Sequence, residues 1–219
     1  MIRFFGQPKY SLDEPQTLIG YEFLLREWHE DHWQVPDDFS QFQASEIVTL
    51  LDQTLAALPE DLPLLSFNLD QAQFIDPAFE EALVKLHAKR PVHLVVELTE
   101  QDDHVPLPAL SQAASKYAAS GLRVCVDDVG TGANNRDLVE ALAPYIAEYK
   151  FALQNFRALG TTKEALPWLK FWRDLATKEH KVFALEGIED QSDLDIVSEY
   201  APDVLQGYYY GKPQLIEVA

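Results

Sequence analysis

The sequence contains one cysteine, Cys125, among its 219 residues. A single cysteine cannot form an internal disulfide, and its place inside an apolar segment is typical of inert, buried packing. Long hydrophobic runs are also missing. No apolar stretch approaches the roughly 20 residues needed to cross a bilayer, and no signal-peptide core follows Met1. We therefore expect a cytoplasmic protein with no membrane partner.

Positive charge is scarce as well. Lys and Arg number 17 against 36 Asp and Glu, which gives a formal net charge of −19. This balance argues against a nucleic-acid polymer as partner, because such polymers bind through broad basic surfaces. A small phosphate ligand held in a pocket is compatible with this negative net charge. Such a ligand needs a local source of positive charge, and metal ions are the obvious one.

The chain lacks Gly/Ser linkers, low-complexity tracts and internal repeats, so we predict a single domain over residues 1–219. Apolar segments of strand length recur along it, and a polar turn, Leu12–Gln16, joins the first two. The eight predicted strands are Arg3–Leu12, Thr17–Arg26, Leu64–Leu69, His93–Thr99, Leu122–Asp127, Glu148–Leu153, Lys181–Gly187 and Val204–Tyr210.

Helical spacing fills the segments between these strands. The clearest apolar stripes are Ile47, Leu51, Leu55 and Leu58, and then Leu107, Leu110, Ala114 and Tyr117. Further helices are predicted at Val139–Leu142, Leu194–Tyr200 and Ala165–Thr177, the last with Pro167 in its first turn. Alternating strands and helices indicate an α/β fold with a parallel sheet, and eight strands fit a (β/α)8 TIM-like barrel. An open doubly wound sheet is the alternative that this pattern leaves open.

Polar residues lie at or near one end of nearly every predicted strand, and in a barrel chemistry collects at the carboxyl ends. They are Glu22, Arg26, Asn68, Glu97, Glu100, Asp127, Asp128, Lys150, Glu186, Glu189 and Gln206. Carboxylate and amide oxygens suit Mg²⁺ or Mn²⁺. Two such ions bridged by a carboxylate are the usual arrangement for phosphodiester hydrolysis. Lys150 is placed to position a water or neutralise charge, and Arg26 to grip a phosphate oxygen.

The segment VCVDDVGTG, Val124–Gly132, sets two carboxylates side by side at the end of a buried strand. Neighbouring residues of a strand point to opposite faces, so both carboxylates reach one metal pair only if the strand ends there and the chain turns. Gly130 and Gly132 allow that turn. Without metal, we expect Asp127 and Asp128 to be the most electrostatically strained pair in the protein.

Eight short motifs together resemble the EAL domain, the bacterial cyclic di-GMP phosphodiesterase module. YEFLLR (Tyr21–Arg26) resembles the motif that names the family, and VCVDDVGTG its Asp-Asp-Phe-Gly-Thr-Gly loop. The other matching segments are FFGQPKYSL, SFNLD, VVELTE, EYKFAL, LEGIE and LQGYYYGKP. They follow the family's order from Gln7 to Pro213, and this ordered series is far more specific than any one fragment.

The resemblance implies a (β/α)8 barrel with an antiparallel first strand, and hydrolysis of cyclic di-GMP to linear pGpG with two Mg²⁺ or Mn²⁺ ions. It implies a homodimer whose loop Val129–Asn135, anchored by Glu100, couples dimerisation to activity. Carried over by position, the first metal binds Glu22, Asn68, Glu97 and Asp127, and the second binds Asp127, Asp128 and Glu186. Catalysis is assigned to Lys150, which holds the attacking water, with Glu22 and Glu189. Substrate contacts are assigned to Arg26, Gln7, Gln206 and Glu189.

Some residues depart from the family pattern. Phe23 and Val129 replace one apolar residue by another, and Ala133-Asn134-Asn135 replaces the usual Tyr-Ser-Ser. Ala152 stands where the family has an acidic residue, on the same strand face as Lys150. The missing carboxylate motivates an alternative function, in which the domain is weakly active or inactive and acts as a cyclic di-GMP receptor or a protein-interaction module. Any regulatory partner protein is unknown from the sequence.

Overall fold

The computed structural model describes residues 1–13, 16–59, 61–90, 94–101, 103–157 and 162–218, with the backbone alone for 162–164. Part of the predicted turn Leu12–Gln16 lies outside the described residues, as does His93, the first residue of one predicted strand. No helix in the described part of the chain is long and apolar enough to cross a membrane.

Eight of the described strands close into a barrel. Its order is β1, β2, β4, β5, β6, β7, β8, β9 and back to β1. The first strand is antiparallel to both of its ring neighbours, and the remaining ring pairs are parallel. The ring strands are β1 (Ile2–Ser11), β2 (Leu18–His29), β4 (Leu64–Leu69), β5 (Leu94–Leu98), β6 (Arg123–Val126), β7 (Glu148–Ala152), β8 (Val182–Glu186) and β9 (Val204–Gln206). The barrel with an antiparallel first strand is therefore confirmed, and the open sheet is wrong.

Two short strands lie outside the ring. The first, β3 (His32–Gln34), pairs with the far end of β2, which extends three residues beyond the predicted Arg26 to His29. The second, β10 (Gln214–Leu215), pairs with Phe5 and Gly6 in the middle of β1.

The described helices surround the barrel as α1 (Ala44–Ala57), α2 (Gln71–Ile75), α3 (Pro77–Lys89), α4 (Leu107–Ala119), α5 (Arg136–Leu142), α6 (Leu153–Arg157), α7 (Thr162–Lys178) and α8 (Asp193–Tyr200). Pro167 lies inside α7 and not in its first turn, because the helix begins at Thr162, before the predicted start. The apolar stripes did not assign α3, although its start carries a readable signal. Asp76 caps it and Pro77 occupies the first turn.

Apolar packing divides between two regions. The large core lies between the strands and the helices, and a small cluster of Leu64, Val95 and Cys125 fills part of the barrel interior. Cys125 is fully buried, and burial raises the pKa of its thiol well above the usual value, as inert packing requires. The rest of the interior is polar and carries the candidate site.

Candidate metal centre

Inward-pointing side chains from six strands or strand ends meet inside the barrel. Glu22 comes from β2, Asn68 from β4 and Glu97 from β5, and register pairs Asn68 directly with Glu97. Asp127 follows β6, and Lys150 and Glu186 lie on β7 and β8. Because every second residue of a barrel strand faces inward, the predicted strand-end residues converge in space.

The adjacent aspartates lie in a tight turn. Strand β6 ends at Val126, one residue before the predicted end, and Asp128 has a left-handed φ of 47°. Gly130 and Gly132 also have positive φ angles, 91° and 48°, which glycine adopts without strain. The turn predicted from the two glycines is therefore present, and Asp128 itself adopts part of the unusual backbone.

The loop that follows is fixed by main-chain contacts. Asn134 is fully buried and donates hydrogen bonds to the carbonyls of Leu98 (2.9 Å) and Asp127 (2.5 Å). The backbone N–H of Ala133 donates to the Glu100 carbonyl at 2.8 Å. A Cβ on Gly132 would lie 2.4 Å from that same carbonyl oxygen. Glu100 thus contacts the loop through its main-chain carbonyl.

The Lys150 ammonium lies at the centre of the carboxylates. Its Nζ is 2.5 Å from Glu97 and 3.0 Å from Asp127, and 3.3 Å from both Glu22 and Glu186. Burial alone would lower the pKa of Lys150, but the surrounding carboxylates, Asp127 foremost, hold it well above its ordinary value. The side chain is 1% exposed, so its charge is balanced by these carboxylates and not by solvent.

Two groups of carboxylates have the spacing of metal ligands. Ligand atoms of Glu22, Glu97 and Asp127 lie within 4.8 Å of one another, and so do those of Asp127, Asp128 and Glu186. Asp127 belongs to both groups, which is the arrangement of a carboxylate that bridges two ions. These groups contain all the predicted ligands except Asn68. Asn68 contacts the first group, because its Nδ2 donates a hydrogen bond to Glu22 Oε1 at 2.6 Å.

Unpartnered oxygen atoms support the fit of a divalent cation. Asn68 Oδ1 and Asp128 Oδ1 are buried, and no described residue hydrogen-bonds to either. Leaving such atoms unpaired costs roughly 1–3 kcal/mol each, which a bound cation would offset. The donors are all oxygen atoms, the type that Mg²⁺, Mn²⁺ and Ca²⁺ prefer.

Electrostatic strain concentrates on the aspartate pair. Burial raises the pKa of Asp127 well above its usual value, with Lys150 opposing the shift and the charge of Asp128 adding to it. Burial and the charge of Glu186 raise the pKa of Asp128 to about 8. Both side chains turn toward one cluster and do not point apart into separate salt bridges. This agrees with the strain predicted from the sequence.

Two cavities adjoin the carboxylates. One of about 340 Å³ is lined by Glu22, Asn68, Asp127 and Glu100, and Arg26 lies in its wall among further polar and apolar residues. Burial lowers the pKa of Arg26 from its usual value. The second cavity, about 190 Å³, is lined by Gln7, Gln154, Glu186, Gly187, Glu189, Gln206, Gly207 and Tyr208. The predicted substrate residues therefore divide between two cavities, each bordering one carboxylate group.

Gln206 and Glu189 differ in how closely they approach the ligands. Gln206 is buried and donates to Glu22 Oε2 at 2.5 Å, so it orients a predicted metal ligand directly. Glu189 is at the cavity rim with a half-exposed side chain, where it pairs with Arg157 at 3.2 Å. It lies outside both carboxylate groups, unlike Glu22, the other carboxylate assigned to catalysis.

Residues that the sequence did not single out also reach the site. Lys9 Nζ lies 2.6 Å from Glu97 Oε1, and both side chains are fully buried. Gln154 donates to Glu186 at 2.8 Å. Lys9 has a signal that could have found it, since a lysine inside an apolar barrel strand needs a buried anion as partner. Asn134 has no comparable signal, because its partners are backbone carbonyls.

The family model described as EAL domain matches residues 2–213, nearly the whole chain. The chain belongs to the EAL domain family. Its curated relatives include the probable cyclic di-GMP phosphodiesterases PdeN and PdeG of Escherichia coli K12, each 26% identical over 90% of this chain. The matches cover 40% and 42% of those proteins, so the EAL chain spans about two fifths of their length.

Solved structures show the same fold. The PaMucR phosphodiesterase in complex with c-di-GMP has a TM-score of 0.81 at 20% identity, covering 97% of this chain and 92% of that one. YkuI of Bacillus subtilis, an EAL-domain protein in complex with c-di-GMP and calcium, has a TM-score of 0.78 at 21% identity. The match to YkuI covers 100% of this chain and 57% of that one.

Proposed function

We propose that this EAL domain hydrolyses cyclic di-GMP to linear pGpG with two divalent metal ions. The observation that carries the proposal is the pair of carboxylate groups that share Asp127. A single bridging carboxylate between two oxygen-rich groups is the arrangement that phosphodiester cleavage by two metals requires. The curated relatives named as probable cyclic di-GMP phosphodiesterases support the same substrate.

Mg²⁺ or Mn²⁺ is the proposed cofactor. Glu22, Asn68, Glu97 and Asp127 would hold one ion, and Asp127, Asp128 and Glu186 the other. When bound, such ions acidify a water and stabilise negative charge on the phosphoryl group.

The protein's own side chains supply positioning and further positive charge. Lys150 holds the attacking water near the carboxylates, and Gln206 keeps Glu22 oriented through its hydrogen bond. Arg26 donates to a phosphate oxygen from the wall of the larger cavity. Glu189 and Gln7, which both line the smaller cavity, would contact the substrate from there.

The two cavities suit the two halves of the substrate. Cyclic di-GMP carries two guanosines joined by two phosphodiesters, so a site centred on one phosphodiester needs space on both sides. The cavity with Arg26 borders the first carboxylate group, and the cavity with Gln7, Gln206 and Glu189 borders the second. We assign one nucleoside to each.

A receptor without turnover is the second candidate, and Ala152 favours it. Ala152 is buried at the end of β7, paired in register with Glu186. When a metal ion displaces the Lys150 ammonium from the carboxylates, position 152 therefore offers no carboxylate with which the lysine could form an ion pair. An Ala152→Asp variant should therefore turn over faster than wild type if this loss limits the rate.

Purified protein separates the two functions. With Mg²⁺ or Mn²⁺ it should convert cyclic di-GMP to pGpG, detected by chromatography. With Ca²⁺, the ion bound with c-di-GMP in YkuI, calorimetry measures binding. Tight binding with no product over hours at micromolar protein would favour the receptor.

We also propose the wider setting of the domain. Residues 1–219 form one domain that works in the cytoplasm as a homodimer, with the loop Val129–Asn135 linking the dimer contact to the site. The hydrogen bonds of Asn134 to the main chain of Asp127 and Leu98 support this link, because movement of the loop would move a metal ligand. A regulatory protein partner could act through the same loop.

A further inference from the structure

Lys9 is the second lysine inside the barrel, and no proposed step uses it. It lies on β1, the antiparallel strand, and its side chain is fully buried. Its Nζ lies 2.6 Å from Oε1 of Glu97, whereas Lys150 contacts Oε2 of the same carboxylate at 2.5 Å. Glu97 is therefore held between two ammonium groups, one at each oxygen.

The surroundings of Lys9 keep it charged. Its ammonium forms an ion pair with the fully buried carboxylate of Glu97. Glu148 is also fully buried, and no described residue hydrogen-bonds to either of its carboxylate oxygens. Arg123, whose Nη2 lies 4.0 Å from Glu148 Oε2, is a further cation beside this carboxylate.

The two lysines differ in what a metal ion would do to them. Lys150 contacts Glu22, Glu97, Asp127 and Glu186 at once, and these are four of the six proposed ligands. A cation that takes those oxygens must displace the Lys150 ammonium. Lys9 contacts the other oxygen of Glu97, so its contact survives that exchange.

We propose that Lys9 is a positioning residue, a resident counter-ion that fixes Glu97 and offsets its charge whether or not metal is bound. The proposal rests on the proposed metal-dependent function. Oε2 is then the oxygen of Glu97 that would become free for a metal when Lys150 leaves it. Lys9 also makes the loaded site one charge more positive than it would be without this side chain, which favours an anionic phosphodiester.

The test is Lys9→Met, which keeps the side-chain length and removes the charge. Lys181→Met is the matched control, since Lys181 donates to the carbonyls of Ala143 and Ile146 away from the site. Metal-free Lys9→Met should lose thermal stability. By calorimetry it should bind Mn²⁺ about tenfold more tightly than wild type, because relief of the repulsion between the Lys9 ammonium and the ion outweighs the loss of a fixed Glu97. Its affinity for cyclic di-GMP in Ca²⁺ should fall. Lys181→Met should leave both affinities unchanged.

A double variant keeps the proposal testable if Lys9→Met folds poorly. Adding Lys9→Met to Glu97→Gln removes both members of the pair and should recover stability relative to Glu97→Gln alone, because the lone buried ammonium is gone. Additive losses in this cycle, or unchanged or weaker Mn²⁺ binding by Lys9→Met, would overturn the proposal. If the wild-type protein binds Mn²⁺ and the variants behave as expected, but cyclic di-GMP is not turned over, the proposed hydrolysis fails while the role of Lys9 stands.

Discussion

Replacing Lys150 by Met should destabilise the metal-free protein strongly. The ammonium is 1% exposed and lies within 3.3 Å of four carboxylates, so its removal leaves those charges without their central partner. Removing one partner of a buried ion pair costs ~3–5 kcal/mol. For a domain of this size each kcal/mol lowers Tm by about 2–4 °C, so the loss corresponds to roughly 6–20 °C.

Metal should restore the thermal stability of this variant, because a divalent cation would neutralise the carboxylates that Lys150 neutralises in the wild-type protein. Thermal unfolding followed by circular dichroism, in chelator and then in Mn²⁺, measures both effects. Turnover should stay absent in Mn²⁺, since the group that holds the attacking water is missing. Lys170→Met is the matched control. Its partner Asp174 and Lys170 itself are about two-thirds exposed, and such surface pairs contribute little.

Two outcomes would refute this reasoning. A metal-free Lys150→Met protein as stable as Lys170→Met would mean that the carboxylates do not need the ammonium. A destabilised variant whose Tm does not rise in Mn²⁺ would mean that Lys150 and the metal do not share a position.

Three further predictions concern the neighbours of this cluster. Mn²⁺ binding at pH 7 should release protons, because a pKa of about 8 keeps Asp128 largely protonated without metal; calorimetry in buffers of different ionisation enthalpy detects the release, and equal heats would contradict it. Glu148→Gln should be more stable than wild type at pH 8 but not at pH 4. Burial raises the pKa of Glu148 in the folded protein. The stability of the wild type therefore falls as pH rises above the pKa of a glutamate in the unfolded chain, ~4.3. Parallel curves of stability against pH for the two proteins would refute this. Asn134→Ala should cost roughly 1–3 kcal/mol in urea unfolding and weaken Mn²⁺ binding, because it frees the turn at Asp127. Asn135→Ala, which removes the cap of α5, should cost ~1 kcal/mol and leave Mn²⁺ binding unchanged.

Much of the fold could be predicted because its signals are local. Buried parallel strands are continuous apolar runs, and Leu64–Leu69 was predicted with the bounds that the structure has. Strand ends were less certain, as at β6, where the Asp127 turn begins one residue earlier than expected. Helix α3 has a weaker apolar stripe, since only Phe79, Leu83 and Leu86 are buried, and it was not predicted from the sequence although Asp76 and Pro77 mark its start.

The candidate site likewise contains residues that could be predicted from the sequence and contacts that could not. The carboxylates could be predicted because parallel strands bring their carboxyl ends together. The contacts of Lys9 and Lys150 could not, because each depends on the register of distant strands. Lys9 reaches Glu97 from a strand 88 positions away in sequence, and Lys150 reaches Glu22 across 128. Those contacts follow only once the ring is closed.

Turnover in ¹⁸O-labelled water tests the central claim most directly. Wild-type protein with Mn²⁺ and cyclic di-GMP should yield pGpG whose 5′-phosphate carries one oxygen from water, as read by mass spectrometry. Glu22→Ala, which removes a member of the first carboxylate group, should yield none. An exposed control, Glu81→Ala, should match wild type. Absence of labelled pGpG from the wild-type protein, with Mn²⁺ binding intact, would contradict the account.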